Sequence, residues 1–391
     1  MKVLVTGATG FLGRRLVAEL APSHALRVLV RPGKAANGEA RGSSGASGTA
    51  AGGAAAGTAP GAGLGAGAAA GGAGGPALGR AAFPPAVEVV AGDVTDAASV
   101  RRAVEGCQAV VHAAALVKIL APAAEFDRVN VGGLENVLAA AAAAGVERMV
   151  YVSTFMALGP SERGPGGVLD ESAAGGAVPA AAPGSGAAAE PGRSWINSYE
   201  RTKTIADRLA RRAIAAGQPL AVVYPGVIYG PGEMTEGNLV VRHVLDLLHR
   251  RLPALLGKPE RRWCHVFVDD VARGIAQTLE HGSPGGRYVL GGENTALGDF
   301  YALVEELSGV PVPKRRLPDG LARTIGAMQK GWARLRGTTP ALTPDLVEVY
   351  RHDWAYSSAR AAAELGYSFR PLREGLSATL AWLRETGQWR R

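Results

Sequence analysis

Tyr199 and Lys203, in the run Tyr199-Glu200-Arg201-Thr202-Lys203, stand four residues apart and share one face if the segment is helical. A free phenol titrates near ~10 and is a poor base at neutral pH. A cation one turn away, with the charge of a nicotinamide ring, would favour the phenolate and make it a proton acceptor. Lys203 can also reach a nicotinamide ribose. Such pairs are common on surface helices, so the chemistry depends on context. Ser153-Thr154 supplies part of it, at the end of an apolar run. The Thr154 hydroxyl there can hold a substrate oxygen.

A second set of residues suits a dinucleotide. Gly7-Ala8-Thr9-Gly10-Phe11-Leu12-Gly13 lies between an apolar run and a helical one. Its spacing is G-x-x-G-x-x-G. Glycines allow a tight turn and close approach to a pyrophosphate, and the following helix N-terminus offers free N–H groups. Candidate cofactor residues are Gly7, Thr9, Gly10, Phe11, Leu12 and Gly13. Gly92-Asp93-Val94 follows a later apolar run, with Asp93 placed to accept from an adenine amino group. Ala113, Ala114 and Ala115 follow another, and their small side chains let a cofactor lie close. His112, just before them, reads as a structural histidine. An acid after the second run would bind a ribose 2′-hydroxyl. The chain has Arg31 there, with Lys34 behind it. An arginine accommodates a 2′-phosphate, which favours NADP over NAD. No metal site is expected.

These groups need a scaffold that gathers them at one edge. Apolar runs expected as strands are Lys2–Thr6, Leu26–Val30, Val87–Ala91, Ala109–His112, Met149–Ser153 and Leu220–Tyr224. Helical runs alternate with them at Phe11–Leu20, Ser99–Glu105, Leu134–Ala144 and Tyr199–Ala216. Continuous apolar strands between helices imply a parallel sheet covered on both faces. Right-handed crossovers then give an α/β, doubly wound Rossmann sheet, with ligands at the strands' carboxyl ends. Past Tyr224 the alternation breaks down into helices and short strands. The expected organisation is a dinucleotide-binding domain over 1–223 and a smaller α/β C-terminal lobe over 224–391, some segments of which return to the Rossmann sheet. Two Gly/Ala-rich stretches, about 35–79 and 173–192, lack any apolar period and read as disordered insertions. In the lobe, Leu317–Leu335 carries Leu321, Ile325, Met328, Trp332 and Leu335 at helical spacing. The plain expectation is a helix packed on the lobe by that stripe. The sharper ones are a mobile lid over an apolar substrate, or a helix resting on a membrane surface.

The chain has 391 residues, 55 of them glycine, and a net charge of +8. Its basic residues are scattered rather than run together with aromatics, which argues against nucleic-acid binding. Two cysteines, Cys107 and Cys264, form neither a disulfide framework nor a zinc site. No integral span or signal peptide is visible, so a cytoplasmic location is expected, with peripheral membrane contact open.

The glycine triplet, Asp93, Ala113–Ala115, Thr154, Tyr199, Lys203 and Tyr224-Pro225-Gly226-Val227 together resemble an extended short-chain dehydrogenase/reductase. The likeness covers nearly the whole chain apart from the two insertions, one of which falls between Thr154 and Tyr199. It implies a catalytic triad of Thr154, Tyr199 and Lys203, with Asn130 in support. It also implies that Pro225 and Val227 line the nicotinamide, and a homodimer through the helices near Leu134 and Tyr199. Gly291-Gly292-Glu293-Asn294 and Arg351-His352-Asp353-Trp354-Ala355-Tyr356 are similar to the dihydroflavonol reductase-like branch. Within it the chain most resembles plant farnesol dehydrogenases and hopanoid-associated relatives. That branch implies interconversion of an alcohol and a carbonyl on a fairly apolar small-molecule substrate. Two other functions share the fold. A nucleotide-sugar epimerase or dehydratase would return the hydride and could hold a diphosphate on Arg242, Arg261 and Arg262. A non-catalytic nucleotide-sensing protein would keep only the binding site.

Overall fold

A computed structural model of the chain describes residues 1–32, 83–118, 120–173, 195–235, 237–338 and 340–390. The expected insertions at 35–79 and 173–192 lie outside these, apart from Ala173, as does Lys34.

The first half alternates as its apolar pattern requires: β1 (Lys2–Thr6), α1 (Phe11–Leu20), β2 (Ala25–Val30), β3 (Glu88–Ala91), α2 (Ala97–Val104) and β4 (Ala109–His112). There follow α3 (Ala123–Phe126), a π-helical turn over Asp127–Gly132, α4 (Gly133–Ala143), β5 (Arg148–Val152), α5 (Ser198–Ala215) and β6 (Leu220–Pro225). The lobe adds β7 (Val227–Tyr229), α6 (Leu239–Leu248), β8 (Arg262–Phe267), α7 (Val268–His281), β9 (Arg287–Leu290) and β10 (Glu293–Ala296). It ends with α8 (Leu297–Ser308), α9 (Asp319–Arg336), α10 (Pro344–Tyr350), α11 (Ala359–Leu365) and α12 (Leu372–Glu385).

Seven strands form one parallel sheet in the order β3-β2-β1-β4-β5-β6-β9. Period-2 alternation sorts their side chains into two layers. Val3, Val5, Val111, Val150 and Val223 face one layer, with α1 packed on α7. Leu4, Val110, Tyr151, Val222 and Tyr224 face the other, with α2 packed on α4. Registers Thr6↔His112 and His112↔Tyr151 bring the carboxyl ends of β1, β4 and β5 level. A smaller sheet, β10-β8-β7, carries the lobe, with β7 parallel and β10 antiparallel to β8.

Two elements differ from expectation, and a third, β9, follows it. The four residues of β9 return from the lobe to pair with β6, as the expected return of lobe segments to the large sheet allows. Residues 123–132 are helical, with a π turn that no apolar period marks. The helix expected over Leu317–Leu335 forms as α9, but its apolar stripe is not its packing face. Ala322, Gly326 and Ala333 are buried instead, while Leu321, Met328, Trp332 and Leu335 are exposed. The small residues win because α9 lies so close to Thr343 and Pro344 that a Cβ on Gly326 would come within 2.9 Å of the Thr343 backbone.

Candidate active site

The glycine turn sits at the carboxyl end of β1. Gly7 has φ +77, where an L side chain is strained, and a Cβ there would lie 2.6 Å from the Ala114 nitrogen. Gly13, in the first turns of α1, packs against that turn, and a Cβ on it would lie 2.0 Å from the Gly7 carbonyl oxygen. Gly10 differs, since its Cβ would have only the Gly7 carbonyl nearby, at 3.3 Å. Gly10 caps α1 without a side chain, and the first turn holds no acid. The free N–H groups of that turn are thus open to an anion, which fits a dinucleotide pyrophosphate. Phe11 is buried and Leu12 half-buried, both packed into the core behind the turn.

Local sequence places the tyrosine. Asn197 caps α5, its Oδ1 accepting from the Glu200 N–H at 2.8 Å. Glu200 reaches back to accept from the Ile196 N–H at 2.7 Å. This reciprocal cap fixes the helix start at Ser198, directly before Tyr199. Tyr199 is half-buried, with its hydroxyl beside the Thr154 side chain. Thr154 itself caps the short turn Phe155–Ala157 directly after β5.

One turn below, Lys203 is only 2% exposed. Its Nζ donates to the Val152 carbonyl at 2.8 Å and to the Tyr151 hydroxyl at 3.1 Å, and lies 4.7 Å from the Tyr151 ring centre. The third ammonium hydrogen has no acceptor among the described residues. Tyr151 stacks on His112, with ring centres 5.9 Å apart, and His112 Nδ1 pairs with Thr6 Oγ1 at 2.8 Å. Burial, then the Lys203 charge, pull His112 down to about 3, so it stays neutral. It holds Tyr151 and Thr6 in place, consistent with the structural reading. Behind Lys203, buried Asp207 accepts from Tyr224 Oη at 2.6 Å and from Arg211 Nε at 3.1 Å. Sequence reasoning passed over Asp207 and Tyr151. The four-residue spacing Tyr199, Lys203, Asp207, Arg211 along one helix face was the available signal for the first. Tyr151 carried none.

The electrostatics set the state of this pair before any cofactor binds. Burial pushes Tyr199 up to about 12, and the neighbouring Thr154 side chain opposes this only in part. Burial likewise pulls the Lys203 ammonium from its ordinary 10.5 to about 7, with Asp207 opposing. Lys203 points to Val152 and Tyr151, so in the ligand-free protein Tyr199 is a neutral phenol. The lowered lysine has a consequence for stability. Between about 7 and 10.5 the unfolded chain keeps the Lys203 proton and the folded one has lost it. Stability contributed at this site therefore rises with pH across that window and is flat below it. Denaturant unfolding of the ligand-free protein and of Lys203→Met should diverge above pH ~7, the wild type gaining on the variant. Curves that stay parallel would overturn the assignment.

Asn130 lies within the π turn. Its Oδ1 accepts from the Leu116 N–H at 2.7 Å, and its Nδ2 donates to the Leu116 carbonyl at 3.2 Å and to Thr202 Oγ1 at 3.1 Å. It ties the segment after β4 to α5 beside Lys203. Asp93 Oδ1 accepts from the Thr95 N–H at 2.9 Å. Val94 is buried against Gly133, and its carbonyl accepts from Asn136 at 2.9 Å. Ala113, Ala114 and Ala115 are half-buried beside the glycine turn. Arg31 is exposed just past β2, Pro225 ends β6, and half-buried Val227 opens β7. The structure thus brings the glycine turn, Ala113–Ala115, Thr154, Tyr199, Lys203 and Pro225 to one edge of the sheet.

A Rossmann sheet with a glycine turn on β1 and a Tyr–Lys pair on α5 defines an NAD(P)-dependent oxidoreductase of the extended short-chain dehydrogenase/reductase class. The chain belongs to the NAD dependent epimerase/dehydratase family, whose profile matches residues 3–291. Its relatives include proteins of the dihydroflavonol reductase-like branch. It is 28% identical over 309 residues to a Synechocystis sp. protein assigned as a dihydroflavonol 4-reductase, covering 77% of this chain and 83% of that one. It is 29% identical over 305 residues to sterol demethylase protein B of Methylococcus capsulatus, covering 77% and 86%. The crystal structure of gox2253 superposes with a TM-score of 0.69 at 27% identity, covering 99% of each chain.

Proposed function

We propose that this protein interconverts an alcohol and a carbonyl on a fairly apolar small molecule, such as a prenyl alcohol, a flavonoid or a steroid-like compound. The observation that carries this is the placement of Tyr199 beside Thr154, one helical turn above buried Lys203, whose Nζ is fixed by the Val152 carbonyl and the Tyr151 hydroxyl at the carboxyl end of β5. The bound nicotinamide cofactor supplies hydride transfer. Gly7, Thr9, Gly10, Phe11, Leu12 and Gly13 cradle its pyrophosphate, and Asp93, Val94 and Ala113–Ala115 take the adenine side. Pro225 and Val227 line its other end. Thr154 Oγ1 orients the substrate oxygen. Tyr199 Oη, once ionised by loss of its own proton to solvent, takes the alcohol proton in oxidation, and as the neutral phenol it gives a proton to the carbonyl oxygen in reduction. Lys203 turns its remaining hydrogen toward the ribose, and Asn130 holds α5 and the loop after β4 in register. Residues 1–223 form the cofactor domain and 224–391 the substrate lobe, apart from segments such as β9 that return to the large sheet. Phe155 packs edge-on against Trp354 at 5.3 Å and tilts against Tyr356 at 5.7 Å, giving the residue after Thr154 an aromatic surround. These rings are core packing behind Thr154; a relative whose name includes sterol demethylase supports an apolar substrate.

The nucleotide-sugar reading asks three arginines to hold a diphosphate. Arg242 donates to the Met234 carbonyl, Arg261 pairs with Glu162 and Asp353, and Arg262 donates to the Gly166 and Gly167 carbonyls. These commitments favour the dehydrogenase reading. A dimer through α4 and α5 goes with the family likeness.

Purified protein given NAD or NADP with a panel of prenyl, steroidal and flavonoid alcohols should accumulate reduced cofactor in step with product. No net reduction despite tight cofactor binding would turn the reading to hydride return on a nucleotide sugar. Arg31 favours NADP in this reading. Arg31→Asp should shift the NADP to NAD ratio of kcat/KM toward NAD by about tenfold to a hundredfold, the loss of a charge-assisted hydrogen bond. An unchanged ratio would remove Arg31 from cofactor choice.

A further inference from the structure

The exposed face of α9 has no role in the site. Leu321 is 53% exposed, Met328 71%, Trp332 58% and Leu335 84%. Half-buried Ile325 completes the line. At 100° per residue these five lie within an arc of roughly 80°. The packed residues Ala322, Gly326 and Ala333 lie on a different line, against Thr343 and Pro344. The helix is therefore already seated by its small residues, and the large apolar ones point away from the body. The segment before it is also anchored, since Leu255 bridges to Arg316 and Arg316 Nη1 donates to the Gly257 carbonyl at 2.7 Å.

Charge decides what could cover such a stripe. From Lys314 to Arg336 there are seven basic residues and one acid, Asp319. Arg323 and Lys330 turn toward Glu348 and Asp345 on α10. Lys314, Arg315, Arg334 and Arg336 have no acidic partner among the described residues, and Arg336 lies over the Trp332 ring at 4.2 Å. A second copy of this chain would set like charges against each other. An apolar stripe bordered by uncompensated arginine, with an indole beside it, suits a surface that is apolar below and anionic above.

We infer that α9 docks the protein on an anionic phospholipid bilayer, lying in the plane of the interface. Leu321, Ile325, Met328, Trp332 and Leu335 enter the acyl boundary, Arg336 at the edge of the stripe reaches the phosphate level, and Arg334 on the polar face adds to the attraction. Among the described residues no helix is long and apolar enough to cross a membrane, so the attachment is peripheral. The inference does not depend on which substrate the active site takes.

The test is flotation of the full chain with phosphatidylcholine vesicles, with and without phosphatidylserine. Binding should require the anionic lipid and fall with added salt. Trp332→Glu with Leu335→Glu should weaken it by on the order of a hundredfold or more. Arg334→Gln with Arg336→Gln should weaken it by on the order of tenfold at low salt. Both pairs are exposed, so thermal melts should match the wild type. Absence of flotation at low salt, or flotation untouched by the stripe variants, would overturn the proposal. So would a stable dimer in sedimentation velocity that the stripe variants dissociate, which would make this face an interface between copies.

Discussion

Tyr199→Phe should lower turnover by about 10²–10⁴-fold, the contribution of one placed general acid–base group, and leave NAD(P) binding near its wild-type value. The ring stays, so packing around the head of α5 is kept, and only the hydroxyl that meets Thr154 is lost. The cofactor turn is on β1 and α1, away from this change. Direction matters as well. Ligand-free Tyr199 sits at about 12, so the phenol must give up its proton before it can accept one. Alcohol oxidation should therefore rise with pH and carbonyl reduction fall, and the variant's residual rate should lack this limb. Steady-state kinetics in both directions, with cofactor binding by fluorescence titration, checks each part. A phenylalanine variant with normal turnover would sink the assignment.

The glycine turn offers the second large effect, because its members do different physical work. Gly13→Ala drives a methyl into the Gly7 carbonyl, backbone against backbone. Neither atom is the end of a flexible chain, so α1 must move away from β1. A core overpacked in this way loses roughly 1–3 kcal/mol or more, and cofactor binding falls with it. Gly10→Ala meets only one atom, at 3.3 Å, and should fold nearly as the wild type does. Its methyl occupies the open side where the pyrophosphate would lie, so it should lose cofactor affinity without losing stability. Paired thermal melts and binding titrations separate the two. Equal melting temperatures for both variants would contradict the packing assigned to Gly13.

Much of this site could be read from residue order. β1, α1, β4 and the Tyr–Lys pair are governed by local pattern: apolar runs, a glycine turn and four-residue spacing. The sheet order then follows from right-handed crossovers. What the pattern missed was decided by tertiary contact. The π turn that carries Asn130 exists to meet Leu116 and Thr202, which are distant in sequence. The stripe on α9 has the periodicity of a buried face, yet Gly326 made a closer approach to Thr343 available on another side. The state of Tyr199 depended on where Lys203 points, and the Val152 carbonyl and Tyr151 hydroxyl settle that.

The last strand of the large sheet has a consequence for how the chain is made. β6 is buried along its whole length once β9 pairs with it. β9 is synthesised only after β7, α6, β8 and α7. At about 5–20 residues per second, a ribosome would leave β6 as an uncapped sticky edge for several seconds. Its sequence, Leu-Ala-Val-Val-Tyr-Pro, has the apolar β-rich character that invites pairing with another chain. Nascent chains halted just short of β9 should therefore be captured by holdase chaperones, and release of the complete chain should end that dependence.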